Sequence, residues 1–378
     1  MTTTYHIVRI DLMDRRQIKQ FINLPFSIYN NTSQWVPPLA GDAAQVFDRQ
    51  GNPYYHHSEA AFFLALDDRR QPAARLAVLD NRRYNQYNRC QTAFFCLFEC
   101  QDDLELSGAL FEAGFDWARS RGLFDIIGPK GFTALDGLGL LVAGFEHRPA
   151  LGIPYNPSYY AKLIEAAGFQ STGELVSGYL SRENYQYPEK IHQIAELVKQ
   201  RRGLHVATCR TRRDLRALLP KLQELYNASL GGSTGNTPLL AEEVKVMADQ
   251  MLWFADPRLI KIVMKADEPV GFLLAYPDIS AALQRTKGRL FPFGWIDLLL
   301  ELRRTKWINI NGAGIAEKYR GVGGTALLFS ELYLTLIDYR YDHADLVQVG
   351  VENDRMQREL RDLGIDFYKR HRMYRREL

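Results

Sequence analysis

Short apolar or alternating runs recur along the chain and predict strands at residues 5–10, 60–66, 73–79, 92–99 and 124–128, then again at 205–210, 259–265, 270–276, 305–314 and 345–351. Between them, apolar side chains at helical spacing predict helices over 15–29, 103–121 and 158–169 in the first half. The second half has helices over 191–201, 213–229, 239–254 and 326–339 by the same criterion. Strands first paired and then alternating with helices, twice over, point to two tandem α/β (α+β) domains, each a mixed twisted sheet flanked by helices. A polar, proline-punctuated stretch from Arg182 to Lys190, followed by a short helix and Gly203, sets the division at 1–190 and 200–378. An insertion carrying Pro277 and Pro292 interrupts the second domain, and the glycine-rich run over 128–152 reads as a long loop.

Length supports two domains, since 378 residues exceed what one hydrophobic core usually serves. A content of 46% hydrophobic and 24% charged residues is that of a folded globular chain and excludes a disordered one. The net charge of +3 is too small to argue for nucleic acid. The basic cluster Lys369-Arg370-His371-Arg372 with Arg375 and Arg376 reads as a solvated strand face. With no signal-like N-terminal run and no apolar stretch of 18 to 20 residues, the expectation is a cytoplasmic protein with no membrane partner. Cys90, Cys96, Cys100 and Cys209 follow no zinc spacing, and His56 and His57 lack further ligands, so no metal is expected.

One segment carries chemistry. From Gly314 the chain reads Gly-Ile-Ala-Glu-Lys-Tyr-Arg-Gly-Val-Gly-Gly-Thr-Ala-Leu-Leu, a glycine turn between a strand and a helix. Glycines at 321, 323 and 324 let the backbone take tight turns or approach a ligand, and the first turn of the helix offers unpaired N–H groups to an anion such as a diphosphate. The plain alternative is a turn that only joins strand to helix. The lysine and hydroxyl residue of a nucleotide P-loop are missing, as is a dinucleotide fingerprint at a first strand–helix turn. At the matching place in the first half stand Glu99, Asp102, Asp103 and Glu105, whose carboxylates would repel a diphosphate and can cap their own helix instead. Among polar residues at element ends, Asp278 is a candidate proton acceptor, with a turn role as the alternative.

The stretch Arg320-x-x-Gly323-x-Thr325 resembles the Arg/Gln-x-x-Gly-x-Gly/Ala motif by which the GNAT acyltransferase superfamily grips the diphosphate of acetyl-coenzyme A; Thr325 departs from its small last residue. The resemblance implies a cofactor site at Gly314, Ile315, Arg320, Gly321, Val322, Gly323, Gly324 and Thr325, with Asn353 at the start of the next helix toward pantetheine and Gly364 as a helix-ending residue. It also implies an acyl-CoA-dependent N-acyltransferase, with acetyl the expected group and a small-molecule or peptide amine as acceptor; separately, the length of the glycine-rich run, ending in Tyr155 and Asn156, offers a wall for an acceptor site, with a plain connecting loop as the alternative. Four residues before Gly364, where many members carry a proton-donating tyrosine, this chain has Leu360, which leaves Tyr368 as the next hydroxyl in sequence. Trp35-Val-Pro-Pro-Leu, Gly128-Pro129, Tyr155-Asn-Pro-Ser-Tyr-Tyr and Gly288-Arg-Leu-Phe-Pro-Phe-Gly are similar to a group of bacterial two-domain GNAT-like proteins of undefined substrate. The first domain is then a divergent copy serving as scaffold, dimer surface or acceptor wall. Two other readings stand beside the enzyme: a non-catalytic acyl-CoA-binding or interaction protein, and a Fem-type aminoacyl transferase, which pairs such domains without a CoA loop.

Overall fold

The computed structural model describes residues 4–133, 136–183, 189–207, 209–230, 237–339 and 341–378. In chain order the first half forms β1 (His6–Arg9), α1 (Arg15–Ile28), α2 (Ala40–Gln45), β2 (Glu59–Leu66), β3 (Pro72–Asp80), α3 (Arg82–Asn88), β4 (Thr92–Cys100), α4 (Leu104–Arg119), β5 (Asp125–Gly128), β6 (Leu140–Ala143), α5 (Tyr160–Ala166) and β7 (Gln170–Ser181). The second half forms α6 (Glu189–Arg202), β8 (Leu204–Val206), α7 (Arg212–Leu230), α8 (Ala241–Leu252), β9 (Lys261–Lys265), β10 (Glu268–Pro277), α9 (Ser280–Thr286), α10 (Gly294–Arg304), β11 (Trp307–Ile315), α11 (Gly324–Asp338), β12 (His343–Gly350), α12 (Asp354–Asp362) and β13 (Asp366–Glu377). The chain is mixed α/β as its periodicity predicts. The glycine-rich run holds one short strand, β6, and the proline-bearing insertion folds into α9 and α10. The polar stretch expected to separate the domains falls partly on 184–188, outside the described residues.

Two compact units are distinguished: residues 1–175, 282–295 and 369–378 form the first, residues 176–281 and 296–368 the second. Two late segments, one around α9 and one from β13, thus count with the first unit rather than with the sequence around them.

In the first unit the strand order is β1-β2-β3-β4-β5-β13, with β6 paired to β13. β1 to β4 are antiparallel, β4 runs parallel to β5 over Thr92–Phe94, and β13 closes antiparallel on β5 through Tyr374↔Gly128. The strands β2, β3 and β4 are almost wholly apolar because both faces are covered. Phe63, Leu76 and Phe95 pack against Phe111, Phe115 and Leu163 of α4 and α5, while Phe62, Leu64 and Phe94 face the side of Phe21 from α1. In the second unit the order is β7-β12-β11-β10-β9-β8. One core joins Val198 of α6 and Leu327, Leu328 and Leu332 of α11 to Val263, Leu273 and Ile308; a smaller one joins Leu215 of α7 and Leu252 of α8 to Ile262 and Met264.

β13 corrects the reading of its basic run as a solvated face. Arg370 and Arg375 are exposed, but Lys369, His371 and Tyr374 are buried because the face of the strand that carries them is covered in the first unit: Tyr374 joins the core of α4 and α5, and Lys369 donates to the carbonyl of Arg148 at 3.1 Å. His371 Nε2 donates to the carbonyl of Pro154 at 3.0 Å, so this nitrogen carries the hydrogen. Burial, helped by nearby Lys369, depresses its pKa to about 4. The unfolded chain takes up this proton near pH 6.5, before the folded one does, so stability falls as pH drops from 6.5 toward 4. His371→Gln should therefore flatten the acid side of the melting profile between these pH values, by up to about 3 kcal/mol at its lower end. Parallel acid profiles for the two proteins would contradict this.

Candidate functional site

β11 and β12 are parallel partners only over Trp307–Ile310 and His343–Leu346. Beyond that the ladder of β11 with β10 slips, since Leu274 faces Gly312 while Ala275 faces Ile310, leaving Asn311 as a bulge. The bulge disrupts the strand and its pairing with β12 stops there, which leaves the C-terminal halves of the two strands unpaired with each other. β11 then delivers the chain through one 3-10 turn, Glu317–Tyr319, into the glycine turn and α11. Gly323 is the N-cap at φ +90° and no side chain caps the helix, so its first N–H groups remain for a ligand. Such an end favours a phosphate group by direct hydrogen bonding and by the helix dipole.

The glycines divide the labour differently from the sequence reading. A Cβ on Gly323 would stand 2.5 Å from Cγ2 of Val198, and one on Gly324 would stand 3.0 Å from Cδ1 of Ile315. These two are required by packing against α6 and β11. A Cβ on Gly321 would meet nothing closer than ordinary contact distance, but its φ is +77°, so this glycine is required by the turn itself. Val322 packs at the edge of the core and Thr325 is half-buried in the first turn of α11. The guanidinium of Arg320 donates to the carbonyls of Ser229 (2.9 Å) and Ile315 (3.3 Å), which ties the start of the turn to α7 and to the end of β11. Gly314 is buried beside Phe272.

A cation missed in the sequence also stands here. Nη2 of Arg355 lies 3.7 Å from the Cβ position of Gly321, with its Nε paired to Glu359 at 3.0 Å. The only signal was its place in the first turn of the helix after Asn353. Asn353 itself accepts from the backbone N–H of Met356 at 3.1 Å and caps α12, and Gly364 ends that helix at φ +80°. Leu360 is 1% exposed and sits in the core, so this position supplies packing rather than a hydroxyl.

Asp278 and Tyr368 both stand toward the Trp307 end of β11, each on its own polar partners. The backbone N–H of Asp278 donates to the carbonyl of Trp307 at 2.9 Å, and its carboxylate accepts from the N–H of Ser280 at 2.8 Å. Tyr368 donates to Asp345 at 2.9 Å, and Asp345 is the ladder partner of Asn309. Between them Tyr276, buried, has its pKa raised by desolvation and further by both Asp278 and Asp345. Along β11 these groups lie roughly 20 Å from the end of the strand that feeds the glycine turn, at about 3.3 Å per strand residue from Asn309 to Ile315. They are therefore out of reach of a phosphate in the turn, though not of the far end of a long arm attached to that phosphate.

The first unit repeats the bulge without the anion site. β4 slips against β3 between Arg75↔Glu99 and Ala77↔Cys96, with Leu97 at φ +51°, and parts from β5 after Phe94. Asp103 caps α4 by accepting from Leu106 N at 3.0 Å, as its position predicts, so this helix end is already filled. Glu99 does not join that cap. The bulge turns it inward, where it accepts from Tyr29 (2.7 Å) and Tyr160 (2.8 Å) and pairs with Arg75 at 3.5 Å. Burial holds the Glu99 pKa above the usual carboxylate range despite the opposing pull of Arg75 and the two hydroxyls. The network forms the floor of a cavity of about 430 Å³ walled mainly by apolar and aromatic groups, among them Phe26, Trp35, Pro38, Leu97 and Ile153. Tyr155 and Asn156 do line this cavity. A cavity of this size and lining fits an apolar ligand with few polar groups. Among the described residues no cluster fit for a metal occurs and no helix is long and apolar enough to cross a membrane.

Comparison with known proteins gives the following. No family model matches the chain. Protein YghO of Escherichia coli (strain K12) is 24% identical over 372 residues, covering 97% of this chain and 94% of that protein. A protein described as a bacterial ceramide synthase, from Caulobacter vibrioides (strain NA1000 / CB15N), is 26% identical over 371 residues, covering 96% and 95%. Among solved structures, a tandem GNAT protein from the clavulanic acid biosynthesis pathway superposes with a TM-score of 0.59 at 12% identity, covering 99% of this chain and 98% of that one. The fold is that of tandem GNAT-like domains.

Proposed function

We propose that this chain of two GNAT-like domains is an N-acyltransferase that takes its acyl group from coenzyme A. The observation that carries the reading is the uncapped start of α11 behind the Gly321–Gly324 turn, set at the end of a strand that has parted from its neighbour. In this reading Gly321 to Thr325 hold the diphosphate with Arg355 at its side, and the pantetheine arm lies between the unpaired C-terminal halves of β11 and β12. The thioester thus reaches toward Asp278, Asp345 and Tyr368. An acceptor amine attacks the thioester carbon, the C–N bond forms and the C–S bond breaks. The proton lost by the amine goes to a carboxylate and the leaving thiolate gains one, with Asp278 as acceptor and Tyr368 as donor.

The acceptor we propose is a long-chain amine, with a fatty acyl group rather than acetyl as cargo. The likeness to a ceramide synthase over nearly the whole chain supports this, since a ceramide is the amide of a fatty acid and a long-chain amino alcohol. The aromatic cavity of the first unit, with room for an aliphatic chain, supports it as well. The test is product analysis by mass spectrometry after incubation with acetyl-CoA or hexadecanoyl-CoA and a panel of long-chain amino alcohols, polyamines and peptides. An amide of a long-chain amine with release of free CoA is expected; no amide across the panel would contradict the enzyme reading. Tyr368→Phe and Asp278→Asn should each lower kcat by about 10²-fold with acyl-CoA affinity unchanged. Unchanged turnover in both would leave them a structural role. The buried Leu360 favours one second reading, a protein that binds acyl-CoA without turnover; retained binding with no amide would be its signature.

A further inference from the structure

The insertion between β10 and β11 presents a surface that the fold leaves uncovered. Phe291 is 84% exposed, Phe293 73% and Trp295 47%. Along α10, Ile296, Leu299 and Leu300 are exposed too, which with Trp295 makes one stripe at i, i+1, i+4 and i+5, while Leu298 turns to the core. An ordinary surface helix shows solvent its polar side; this one shows its apolar side. Lone exposed hydrophobics are commonplace, whereas a continuous aromatic and aliphatic run marks an interaction surface. Its flanks are basic: Arg285, Lys287 and Arg289 before the turn and Arg303 and Arg304 after it are all exposed, against the half-buried Asp297 and Glu301.

The turn is fixed rather than loose. Gln284 donates to the carbonyls of Ser33 (2.7 Å) and Trp35 (2.9 Å), and Ala40 N donates to Gly288 O at 2.9 Å. A Cβ on Gly288 would stand 2.1 Å from the carbonyl oxygen of Pro38, so only glycine permits this approach. The loop it grips, with Trp35 and Pro38, is a wall of the first unit's cavity, and Lys287 and Arg289 belong to the same lining. The exposed aromatic turn is thus anchored at the wall of an apolar cavity.

We infer that this segment docks the protein on a bilayer surface carrying anionic phospholipids. Phe291, Phe293 and Trp295 enter the boundary between headgroups and acyl chains, and Lys287 and Arg289 meet the headgroup phosphates, placing the cavity wall against lipid. The choice of a lipid surface over a protein partner rests on the pairing of a Trp/Phe/Leu stripe with a basic rim, the composition of interfacial helices. It goes beyond the acyl-transfer reading and replaces the expectation of no membrane partner. The test is cosedimentation of the full chain with vesicles of phosphatidylcholine alone and of phosphatidylcholine containing phosphatidylglycerol. The wild type should sediment with the anionic vesicles and far less with the neutral ones. Phe291→Ser/Phe293→Ser should lose at least tenfold in partitioning, and Lys287→Glu/Arg289→Glu should lose the preference for anionic lipid, both at the wild-type melting temperature. Wild type left in the supernatant at low salt, or a serine variant that sediments like wild type, overturns the proposal. So does a wild-type dimer that ignores vesicles and is dissociated by the serine substitutions, which would make this face an interface between two copies.

Discussion

Thr325→Glu should leave the protein folded and abolish most of its affinity for acyl-CoA. Thr325 lies in the first turn of α11, where a carboxylate is favourable to the helix by about 0.3–1 kcal/mol. The same charge would sit against the diphosphate, and like charges a few ångströms apart at a partly shielded site weaken binding on the order of tenfold to a hundredfold. The opposite signs of the two effects make this variant more informative than changes at the glycines. A side chain at Gly323 would run into Val198 and Ile194 and disturb the packing of α6, so lost binding there would be ambiguous. Calorimetric titration with hexadecanoyl-CoA, paired with a melting curve, reads both consequences. A variant that melts normally and binds normally would exclude this turn as the diphosphate site.

Arg75→Ala should cause the largest loss of stability, about 3–5 kcal/mol, because it leaves Glu99 buried without its cation. Arg75 also donates to the carbonyl of Phe21 at 2.8 Å and lies over its ring, 4.9 Å from the centroid. The loss should depend on pH in a definite sense. The folded-state pKa of Glu99 is already raised by burial and rises further without Arg75, so the folded variant holds a proton that the unfolded chain has released. Stability attached to this group is then present at low pH and lost as pH climbs through the folded pKa. The defect should therefore be greatest at neutral and alkaline pH and shrink toward pH 5. Arg75→Met with Glu99→Gln, which removes both charges, should recover much of it. Hydrogen exchange of the β4 peptide over 92–100 localises the effect to the first unit. Equal protection in wild type and Arg75→Ala would mean that the pair contributes little.

Local patterns carried much of the architecture. Alternating and continuous apolar runs gave most strands within a residue or two, and the strand–glycine turn–helix unit at 307–338 was legible because each signal in it is short in range. The acidic start of α4 was legible for the same reason, through Asp103. What sequence did not disclose depends on distant partners. Glu99 reads like one more carboxylate of a helix cap; only the bulge at Leu97 and the arrival of Tyr29 and Tyr160, 70 and 61 residues away, turn it into a buried centre. Lys369 and His371 look like surface charge until the carbonyls of Arg148 and Pro154, more than 200 residues away, cover that face of β13. Arg355 had no motif of its own, since its role follows from where α12 begins relative to Gly321. The α10 stripe was hidden by Pro292, which marks the segment as irregular, although the helix starts two residues later.

Whether a diphosphate is held at the start of α11 is decided by a pair of calorimetric titrations of the wild-type protein. One uses hexadecanoyl-CoA and the other S-hexadecanoyl-pantetheine, which keeps the acyl chain and arm but lacks the nucleotide and its phosphates. Saturable binding of the CoA ester is expected, with an affinity at least tenfold lower for the pantetheine ester. Equal affinities, or no binding of the CoA ester at all, would contradict it.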